Sequence, residues 1–347
     1  MDSLPASVVS GQDKVAFLGP FSSYSHQATK SAFSGPEWEL TPTQTIKEVF
    51  DIVQAGGAAY GVVPFENSTH GTVTFTLDGL ADRADRYADI WVCAEIYLDV
   101  HHFLLGRKDA SPSSSSSSSQ DGSRVRGEPL TSLAHIKRVY SHPQAFGQTG
   151  AFFGRHLRGV ETIDVSSTSK AAEMAAADAS GTSAAVAGEI AAAANGLDVL
   201  AGCIEDREDN TTRFFVIRTK GPDAPPLPQR AEGGGGDDDD DDDDGSYGAK
   251  YKTLVSFTVP HRTPGALADV LDCFRRLGLN LTSINSLPCL VEPFSYLFFV
   301  EFEGSRLDDP KGRVSKALEG MGKVARSWRW LGSWRNQRKM GGEKGSE

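Results

Sequence analysis

Residues 209–217 read Asp-Asn-Thr-Thr-Arg-Phe-Phe-Val-Ile, so that polar chemistry leads directly into an apolar run. The apolar end of the stretch predicts a buried strand, and the residues before it offer an amide, two hydroxyls and a guanidinium. Thr212 is able to donate a hydrogen bond to an oxygen, and Arg213 is able to hold a carboxylate with two parallel bonds. The pattern fits a strand whose first residues face a bound ligand. It fits equally well a turn entering a strand, with the Asn and the first Thr as turn formers.

Polar residues also follow other predicted strands. The strand at 14–18 leads into Gly19–Ala28, the strand at 60–65 into Glu66–Gly71, and the strand at 137–140 into Ser141–Phe146. Helical patterns alternate with these strands, which predicts an α/β fold with one mostly parallel sheet, or two sheets, covered by helices. Ligands of open α/β sheets bind at the carboxyl ends of the strands, so these polar residues are candidates for a site.

Two helix starts allow both a binding and a purely structural interpretation. Ser23 and Ser25 precede or begin a helical run, where hydroxyls, free N–H groups and the helix dipole together attract anions. A simple helix cap explains the same residues. At the start of another helix Pro143 suits the first helical position, with Ser141 or His142 as the cap.

Length and charge limit the classes of function. A chain of 347 residues suggests about two domains. The net charge of -11 comes mostly from eight consecutive aspartates at 237–244, without which 38 acidic residues face 35 basic ones. The remainder is close to neutral and offers no basic face for nucleic acid.

The cysteines and the apolar segments indicate a protein of the cytoplasm. The four cysteines show neither a C-x-x-C pair nor zinc-ligand spacing, and we expect them to be reduced. We see no secretory signal at the N-terminus and no run of about 20 apolar residues that would span a membrane. We therefore expect cytoplasmic localisation, and no motif calls for a cofactor or metal.

The second half of the chain predicts a separate module. Residues 221–249 are rich in proline, glycine and aspartate and predict a disordered linker. Residues 250–334 alternate as strand, helix, two strands, helix and strand, which is a βαββαβ ferredoxin-like arrangement. We expect the serine-rich insertion at 110–130 and the tail at 335–347 to be disordered.

In this order the motifs resemble those of the prephenate dehydratase family. The matching stretches are Gly19–Ala28, Gly61–Gly71, Ser141–Gln144, Ile204–Asp206 and Asn210–Phe214, of which the Thr-Arg-Phe at the end is the most specific. Residues 265–267 and 280–302 resemble an attached ACT regulatory domain. The resemblance covers roughly residues 14–331, apart from the serine insertion and the acidic linker.

The resemblance implies a two-lobed catalytic domain at 14–220, like type 2 periplasmic binding proteins. Lobe one would comprise about 14–100 and 197–219, and lobe two about 101–195. The implied reaction is that of a carbon–oxygen hydro-lyase, which converts prephenate to phenylpyruvate, water and carbon dioxide in phenylalanine biosynthesis. Aromatisation of the ring supplies a large driving force, so the enzyme needs to hold a dianion and assist the departing hydroxide.

The family's catalytic threonine corresponds to Thr212, which would donate to the leaving hydroxyl. The expected substrate-binding residues are Ser23, Ser25, Glu66, Asn67, Ser68, Ser141, Gln144, Asn210, Arg213 and Phe214. Two of these have open alternatives: Arg213 would instead form a structural ion pair, and Glu66 would instead serve as a structural hydrogen-bond acceptor. Lobe closure would exclude water from the site.

The ACT resemblance implies that phenylalanine binds between subunits and inhibits the enzyme, in a homodimer or homotetramer. The expected effector-binding residues are Pro264, Gly265, Ala266, Leu267, Asn285 and Ser286. The family motif Glu-Ser-Arg-Pro is here Asn-Ser-Leu-Pro, with Leu287 in place of the arginine. That departure leaves the strength of inhibition open.

Two alternative functions remain on the same fold. The chain could prefer arogenate to prephenate as its substrate. It could also be a sensor that binds a small molecule without catalysis, because fold does not fix function.

Overall fold

A computed structural model describes residues 12–109, 125–220, 227–228 and 250–338. The serine run at 113–119, the aspartate run at 237–244 and the last nine residues of the chain lie outside the described residues, as does most of the predicted linker. No helix among the described residues is long and apolar enough to cross a membrane.

The described strands, in chain order, are β1 (Asp13–Leu18), β2 (Trp38–Thr43), β3 (Tyr60–Asn67), β4 (Gly71–Thr72), β5 (Ile90–Asp99), β6 (Phe103–Gly106), β7 (Arg138–Ser141), β8 (Glu161–Asp164), β9 (Ser183–Ala187), β10 (Asp198–Ala201), β11 (Thr211–Thr219), β12 (Tyr251–Thr258), β13 (Leu281–Pro288), β14 (Tyr296–Glu303) and β15 (Ser327–Arg335).

The described helices are α1 (Tyr24–Ala32), α2 (Ile46–Gln54), α3 (Thr74–Ala81), α4 (Pro143–Gly147), α5 (Gly150–His156), α6 (Thr168–Ala177), α7 (Ile190–Asn195), α8 (Ala266–Arg275) and α9 (Arg313–Val324). The predicted α/β fold with two sheets is therefore confirmed.

Local sequence signals set the ends of several helices. Thr45 caps α2 by accepting a bond from the N–H of Glu48, whose carboxylate accepts from the N–H of Gln44. This arrangement resembles a capping box, except that the Glu48 carboxylate accepts from the N–H of the residue before the cap. Pro143 occupies the first position of α4, where its missing N–H costs nothing, and the ring of His142 accepts from the next N–H.

The first lobe is built on a mixed sheet with the order β5-β11-β3-β1-β2. Strands β1, β2 and β3 are parallel, whereas β11 runs antiparallel to both β3 and β5. Helix α1 packs on one face, and helices α2 and α3 pack on the other. Because β11 lies between β3 and β5, its first residues adjoin the end of β3.

The second lobe has a five-stranded sheet of order β10-β6-β9-β7-β8, with apolar clusters on both faces. Strand β10 pairs with β6 in this sheet, which corrects the predicted return to lobe one at residue 197. The chain returns at β11 instead. Residues 204–206 are irregular; the Glu205 carboxylate accepts the N–H of His102, and the Asp206 carboxylate accepts the N–H of Ala151.

The C-terminal module has the predicted βαββαβ order, with α8 and α9 on one face of its four strands. Its other face joins the core of lobe one, where Leu287, Phe299 and Trp334 cluster with Phe65 and Phe215. Strand β15 meets β5 at one pair of residues, so that both sheets continue as a single ten-stranded sheet. The module is therefore packed directly onto the lobe that carries β11.

Candidate active site

Strand register brings Thr212 and Asn67 together at the end of β3. The Asn67 Nδ2 group donates to Thr212 Oγ1 over 3.0 Å and to Asn210 Oδ1 over 2.8 Å. Asn67 Oδ1 accepts the backbone N–H groups of Thr69 and His70, each over 3.0 Å. Asn67 is therefore fixed in orientation by the turn that follows its own strand.

The bond from Asn67 determines what the Thr212 hydroxyl is able to do. It uses a lone pair of Oγ1, so the hydroxyl proton remains for a different acceptor. An oxygen that accepts one hydrogen bond becomes a better donor through its own proton, because bonds in a chain polarise one another. Thr212 is partly exposed and is thus suited to donate to a bound oxygen.

The network continues from Asn210 into the second lobe. Asn210 is 3 % exposed, and its Nδ2 group donates to Gln148 Oε1 over 3.2 Å. The same oxygen lies 2.7 Å from His102 Nε2, and His102 Nδ1 lies 2.8 Å from the Tyr24 hydroxyl. Side chains from both lobes are thus linked to Thr212 through one continuous set of hydrogen bonds.

A cavity of about 340 Å³ adjoins this network. Its lining residues come from the β3–β4 turn, from the α4 region and from the segment before β11: Thr69, His70, Gln144, Gly147, Gln148, Glu205, Asp206, Arg207 and Asn210. The volume falls in the range of small-molecule sites. Of the predicted site residues, Gln144 and Asn210 line this cavity, whereas Thr212 and Asn67 are not among its lining residues.

The acidic residues of the cavity are engaged by protein groups. Glu205 accepts from the N–H of His102 and pairs with Arg126 over 3.1 Å. Asp206 accepts the N–H groups of Gly150 and Ala151 at the start of α5. These partners offset the negative charge that would otherwise oppose an anionic ligand.

One mixed group of ligand-type side chains lies at the junction between the lobes. Within the described ranges, His101, Cys203 and Glu205 are the set of three whose potential metal-ligand atoms lie within 4.8 Å of one another. The Glu205 carboxylate already pairs with His101 and Arg126. A guanidinium at this distance repels a cation, so these residues fit a metal poorly.

The predicted role of Arg213 in binding a carboxylate ligand is not what the structure favours. Its guanidinium is buried, lies 2.6 Å from Glu95 and also pairs with Glu301 of the C-terminal module. It stacks over the rings of Phe65 and Phe215 at 5.3 and 4.9 Å. The alternative interpretation, a structural ion pair, is correct here, because neighbouring residues of a strand face opposite sides of the sheet.

Two further residues that were predicted to bind substrate are instead buried inside the lobes. Phe214 is 1 % exposed and belongs to the apolar cluster beneath α1, so it does not face the cavity. Ser141 is fully buried, and its hydroxyl donates to the carbonyl of Val186 in the neighbouring strand segment. Both predictions are corrected by burial: each side chain serves packing within its own lobe.

The remaining predicted residues take local structural bonds near the site. Ser68 donates to the carbonyl of Asp209 and accepts the N–H of Thr211, which ties the β3–β4 turn to the start of β11. Ser23 caps α1, as the structural interpretation holds, and also donates to Leu18. Ser25 is buried on α1. Glu66 is partly exposed, and its carboxylate lies 4.0 Å from the Arg213 guanidinium.

The C-terminal module has a cavity of about 230 Å³ at the start of α8. Of the six predicted effector residues, Gly265, Ala266 and Leu267 line it, together with Tyr296 and Phe298. Pro264 is not among the lining residues, although its neighbours Thr263 and Gly265 are, and Asn285 and Ser286 lie elsewhere, on β13. Asn285 Oδ1 accepts a bond of 2.8 Å from Thr72 in lobe one, so this motif residue contacts the catalytic half of the same chain.

Three residues of the network were missed in the sequence: Tyr24, His102 and Gln148. Gln148 follows α4 by one residue and stands in no motif considered above. His102 lies between two strands, and Tyr24 reads as an ordinary first residue of a helix. Only the paired histidines at 101–102, which lie between β5 and β6, offered a sequence signal for this network.

Sequence comparisons with known proteins identify one family. The family model described as prephenate dehydratase matches residues 15–222. A bifunctional chorismate mutase/prephenate dehydratase of Aquifex aeolicus is 34% identical over 92% of this chain and 73% of its own length.

Solved structures extend the likeness over almost the whole chain. The prephenate dehydratase of Arthrobacter aurescens in complex with L-Phe is 27% identical, with a TM-score of 0.71 over 93% of this chain and 90% of its own. A protein described as a quorum-quenching acylase is 26% identical, with a TM-score of 0.69 over 93% and 97%.

Proposed function

The chain belongs to the prephenate dehydratase family, and on that basis we propose that Thr212 is the residue on which its reaction depends. The reaction converts prephenate to phenylpyruvate, water and carbon dioxide. One carboxylate leaves as carbon dioxide and the ring hydroxyl leaves as hydroxide, so the breaking carbon–oxygen bond accumulates negative charge on oxygen. A donor placed at that oxygen stabilises the transition state more than the ground state.

The observation that carries this proposal is the bond from Asn67 Nδ2 to Thr212 Oγ1. It orients the hydroxyl and leaves its proton available for the departing oxygen. A threonine hydroxyl is a weak acid, so we assign Thr212 a strong hydrogen bond to the developing hydroxide rather than full proton transfer. Water formation would be completed from solvent.

For the substrate we propose the cavity of about 340 Å³ beside Asn210 and Gln144. Amide groups of Asn and Gln donate to carboxylates without a buried charge that would need a partner. Arg207, at the cavity wall, is largely exposed and pairs with the equally exposed Asp209. Because exposed ion pairs contribute little to stability, Arg207 could leave Asp209 and bind the dianionic substrate at little cost in free energy. Asn67, Ser68 and Ser25 remain candidates for positioning the ring.

The direct test is to measure phenylpyruvate formation from prephenate by the purified chain. We expect saturable turnover without added metal or nucleotide. Side-by-side turnover of arogenate separates the prephenate enzyme from its closest alternative. Binding of prephenate without release of phenylpyruvate would instead support a sensor, and hydrolysis of an acyl amide in place of dehydration would support an acylase.

We further propose that residues 250–334 form an ACT regulatory domain attached to a catalytic domain at 14–220, and that phenylalanine inhibits through it. The cavity at Gly265, Ala266 and Leu267 has an aromatic wall formed by Tyr296 and Phe298, which suits an aromatic side chain. We propose a homodimer or homotetramer in which a neighbouring subunit completes this cavity.

A contact within one chain offers a route from this domain to the active site. Asn285 bonds Thr72, which pairs with Glu66 across the β3–β4 hairpin. The turn of that hairpin supplies the two N–H groups that orient Asn67. Movement of β13 would therefore alter the donor that orients Thr212.

A further inference from the structure

Lobe one has a further cavity, between helices α2 and α3, that is larger than the one proposed for the substrate. Its volume is about 690 Å³, and its lining comes from the end of β1, the first turns of α2, and α3 with the turn that follows it. No residue lines both this cavity and the one beside Asn210. We infer that the α2–α3 cavity binds a small molecule with an aromatic body and a single carboxylate.

The buried part of the lining is apolar. Ile46 and Phe50 of α2 are both buried, and the Tyr87 ring packs on the Phe50 ring with the two centroids 5.3 Å apart. The two helices approach closely here, since a Cβ atom on Gly79 of α3 would lie 2.6 Å from the Phe50 ring. This part of the cavity is therefore formed by packing within lobe one and is present before any ligand binds.

The outer part of the lining exposes an aromatic ring to water. Phe75, the second residue of α3, lines the cavity and is 74 % exposed. Cavities of this size that combine apolar walls with a few polar groups are typical of small-molecule sites. Because contacts between aromatic rings are favourable beyond the area that they bury, the rings of Phe50, Phe75 and Tyr87 favour an aromatic ligand.

Three cations line the cavity, and they differ in whether a carboxylate already neutralises them. Lys47 lies 2.6 Å from Asp51, and Arg83 lies 2.5 Å from Asp78. Arg86 is exposed and forms no ion pair with a carboxylate of the described part of the chain. One positive charge at the cavity is thus available to a ligand.

The remaining acid of the lining, Asp82, is buried and engaged by protein groups. Its carboxylate accepts the N–H groups of Arg86 and Tyr87 over 2.6 and 2.9 Å and lies 3.5 Å from Arg329 of the C-terminal module. Both acids of the lining are therefore occupied, and an ammonium group would find no carboxylate to pair with. One available cation and no available anion match a ligand with one negative charge.

This charge pattern separates the α2–α3 cavity from the two sites proposed above. Prephenate carries two carboxylates, of which only one would find a cation here. Phenylalanine carries an ammonium group, which the lining does not neutralise. The inference is independent of the proposed reaction, because it concerns binding alone.

The test uses 3-phenylpropionate as the probe, since it has an aromatic ring and one carboxylate but no second charge. For a molecule of this size we expect a Kd of about 1 mM or tighter, measured with the full chain by isothermal titration calorimetry. The neutral 3-phenylpropan-1-ol should bind about 10-fold more weakly, because it lacks the charge that pairs with Arg86.

Two variants separate the charge from the ring. Arg86→Gln should weaken binding of 3-phenylpropionate about 10-fold and change that of the alcohol about twofold or less. Phe75→Ser should weaken both probes about threefold to 10-fold, because it removes a ring that contacts the shared aromatic body. Both residues are exposed, so the fold should be retained in each variant.

Matched changes outside the lining provide the controls. Arg155→Gln removes an exposed arginine of α5, and Leu307→Ser removes an exposed apolar side chain of the module. Both should leave the two affinities unchanged. Unchanged affinity for 3-phenylpropionate in Arg86→Gln or in Phe75→Ser would overturn the inference, as would absence of binding by the wild-type chain.

Hydrogen exchange locates the bound probe. We expect 3-phenylpropionate to slow amide exchange in residues 44–50 and 75–87, which line the cavity. Slower exchange confined to residues 204–210, or to residues 259–268 at the start of α8, would assign the binding to one of the other cavities and overturn the inference. Neither result bears on the proposed function, which is tested by turnover of prephenate.

Discussion

Arg213 and Glu301 form a buried ion pair that joins the strand carrying Thr212 to the C-terminal module. Two more charges complete the cluster, since Lys252 of that module lies 3.1 Å from Glu95 of lobe one. Two cations and two carboxylates thus meet at the seam between the halves. Thr212 accepts a bond from Asn67 at the end of β3, and its neighbour in sequence anchors strand β11 to the module.

Replacement of Thr212 tests the proposed chemistry directly. Thr212→Val preserves the size and branching of the side chain and removes the hydroxyl. We expect kcat to fall about 100-fold to 1,000-fold, as for the loss of one preorganised donor, with the fold retained. The measurement is steady-state formation of phenylpyruvate, accompanied by circular dichroism of each variant.

The adjacent residue provides the control for that change. Thr211→Val removes a hydroxyl that donates to the exposed Asp99 carboxylate, so turnover should remain near the wild-type level. Equal losses in the two variants would mean that strand β11 tolerates valine poorly, and the assignment to Thr212 would then be wrong.

Disruption of the charge cluster should weaken the fold. Arg213→Met leaves Glu95 and Glu301 buried with only Lys252 as counter-charge, and loss of one partner of a buried pair costs about 3–5 kcal/mol. Urea-induced unfolding would measure the change in the free energy of unfolding. Lys323→Met, which breaks an exposed pair with Glu319, should cost at most about 1 kcal/mol.

The same cluster predicts how stability depends on pH. Burial alone would raise the pKa of the Glu95 carboxyl, but Arg213 and Lys252 hold it below its ordinary value of 4.5. A carboxyl with a lowered pKa in the folded state binds fewer protons there than in the unfolded state. Its contribution to stability is therefore present above pH 4.5 and is lost as the pH falls through the folded-state pKa.

The measurement is the free energy of unfolding between pH 7 and pH 3. In Glu95→Gln the decline at acidic pH should be shallower than in the wild-type chain, because the titrating group is gone. Glu161→Gln, at an exposed position of β8, should follow the wild-type curve. A wild-type curve that is flat across this range would contradict the role given to Glu95.

Gly332 is required for the contact between β15 and β5. Its φ of +144° is a conformation that other residues rarely adopt, and a Cβ atom there would lie 2.0 Å from the carbonyl oxygen of Val92. Gly332→Ala should therefore separate the two strands and destabilise the chain by about 2 kcal/mol or more in urea unfolding. Gly320→Ala on α9 meets only ordinary contacts and should be neutral or stabilising by up to about 1 kcal/mol.

Phenylalanine should lower turnover and tighten the association of subunits, if the cavity at the start of α8 is the effector site. Because coupling between two sites is reciprocal, prephenate should in turn weaken phenylalanine binding. Activity assays with analytical ultracentrifugation would measure both effects, with leucine as the non-aromatic control. No change at saturating phenylalanine would exclude this regulation, and Leu287, which is buried against lobe one, would be the first residue to study.

The sequence predicted the elements well where a single local rule determines them. The proline that starts α4 and the βαββαβ order of the C-terminal module both follow from the local sequence pattern. Asn67 and Gln144 were chosen because polar residues follow strands, and the structure places both near the segment that carries Thr212.

Prediction from the sequence failed where the role of a residue depends on the face of the sheet that its side chain occupies, or on a partner far away in the chain. Arg213 and Thr212 look equally suited to a ligand in sequence, and only sheet geometry turns them to opposite faces. His102 and Gln148 are 46 residues apart, so no local pattern reports that they share a hydrogen bond. Such pairings arise from tertiary structure and leave no periodic signal.

The ten-stranded sheet has a consequence for how this protein could have been assembled. A regulatory domain acquired from another gene by recombination would need a glycine where β15 meets β5. It would also need charged residues that complement Glu95 and Arg213. Without those features the exchange would leave an apolar surface and an uncompensated carboxylate in the catalytic half. The two halves are therefore constrained to change together, and recombination at the linker would be tolerated only between close relatives.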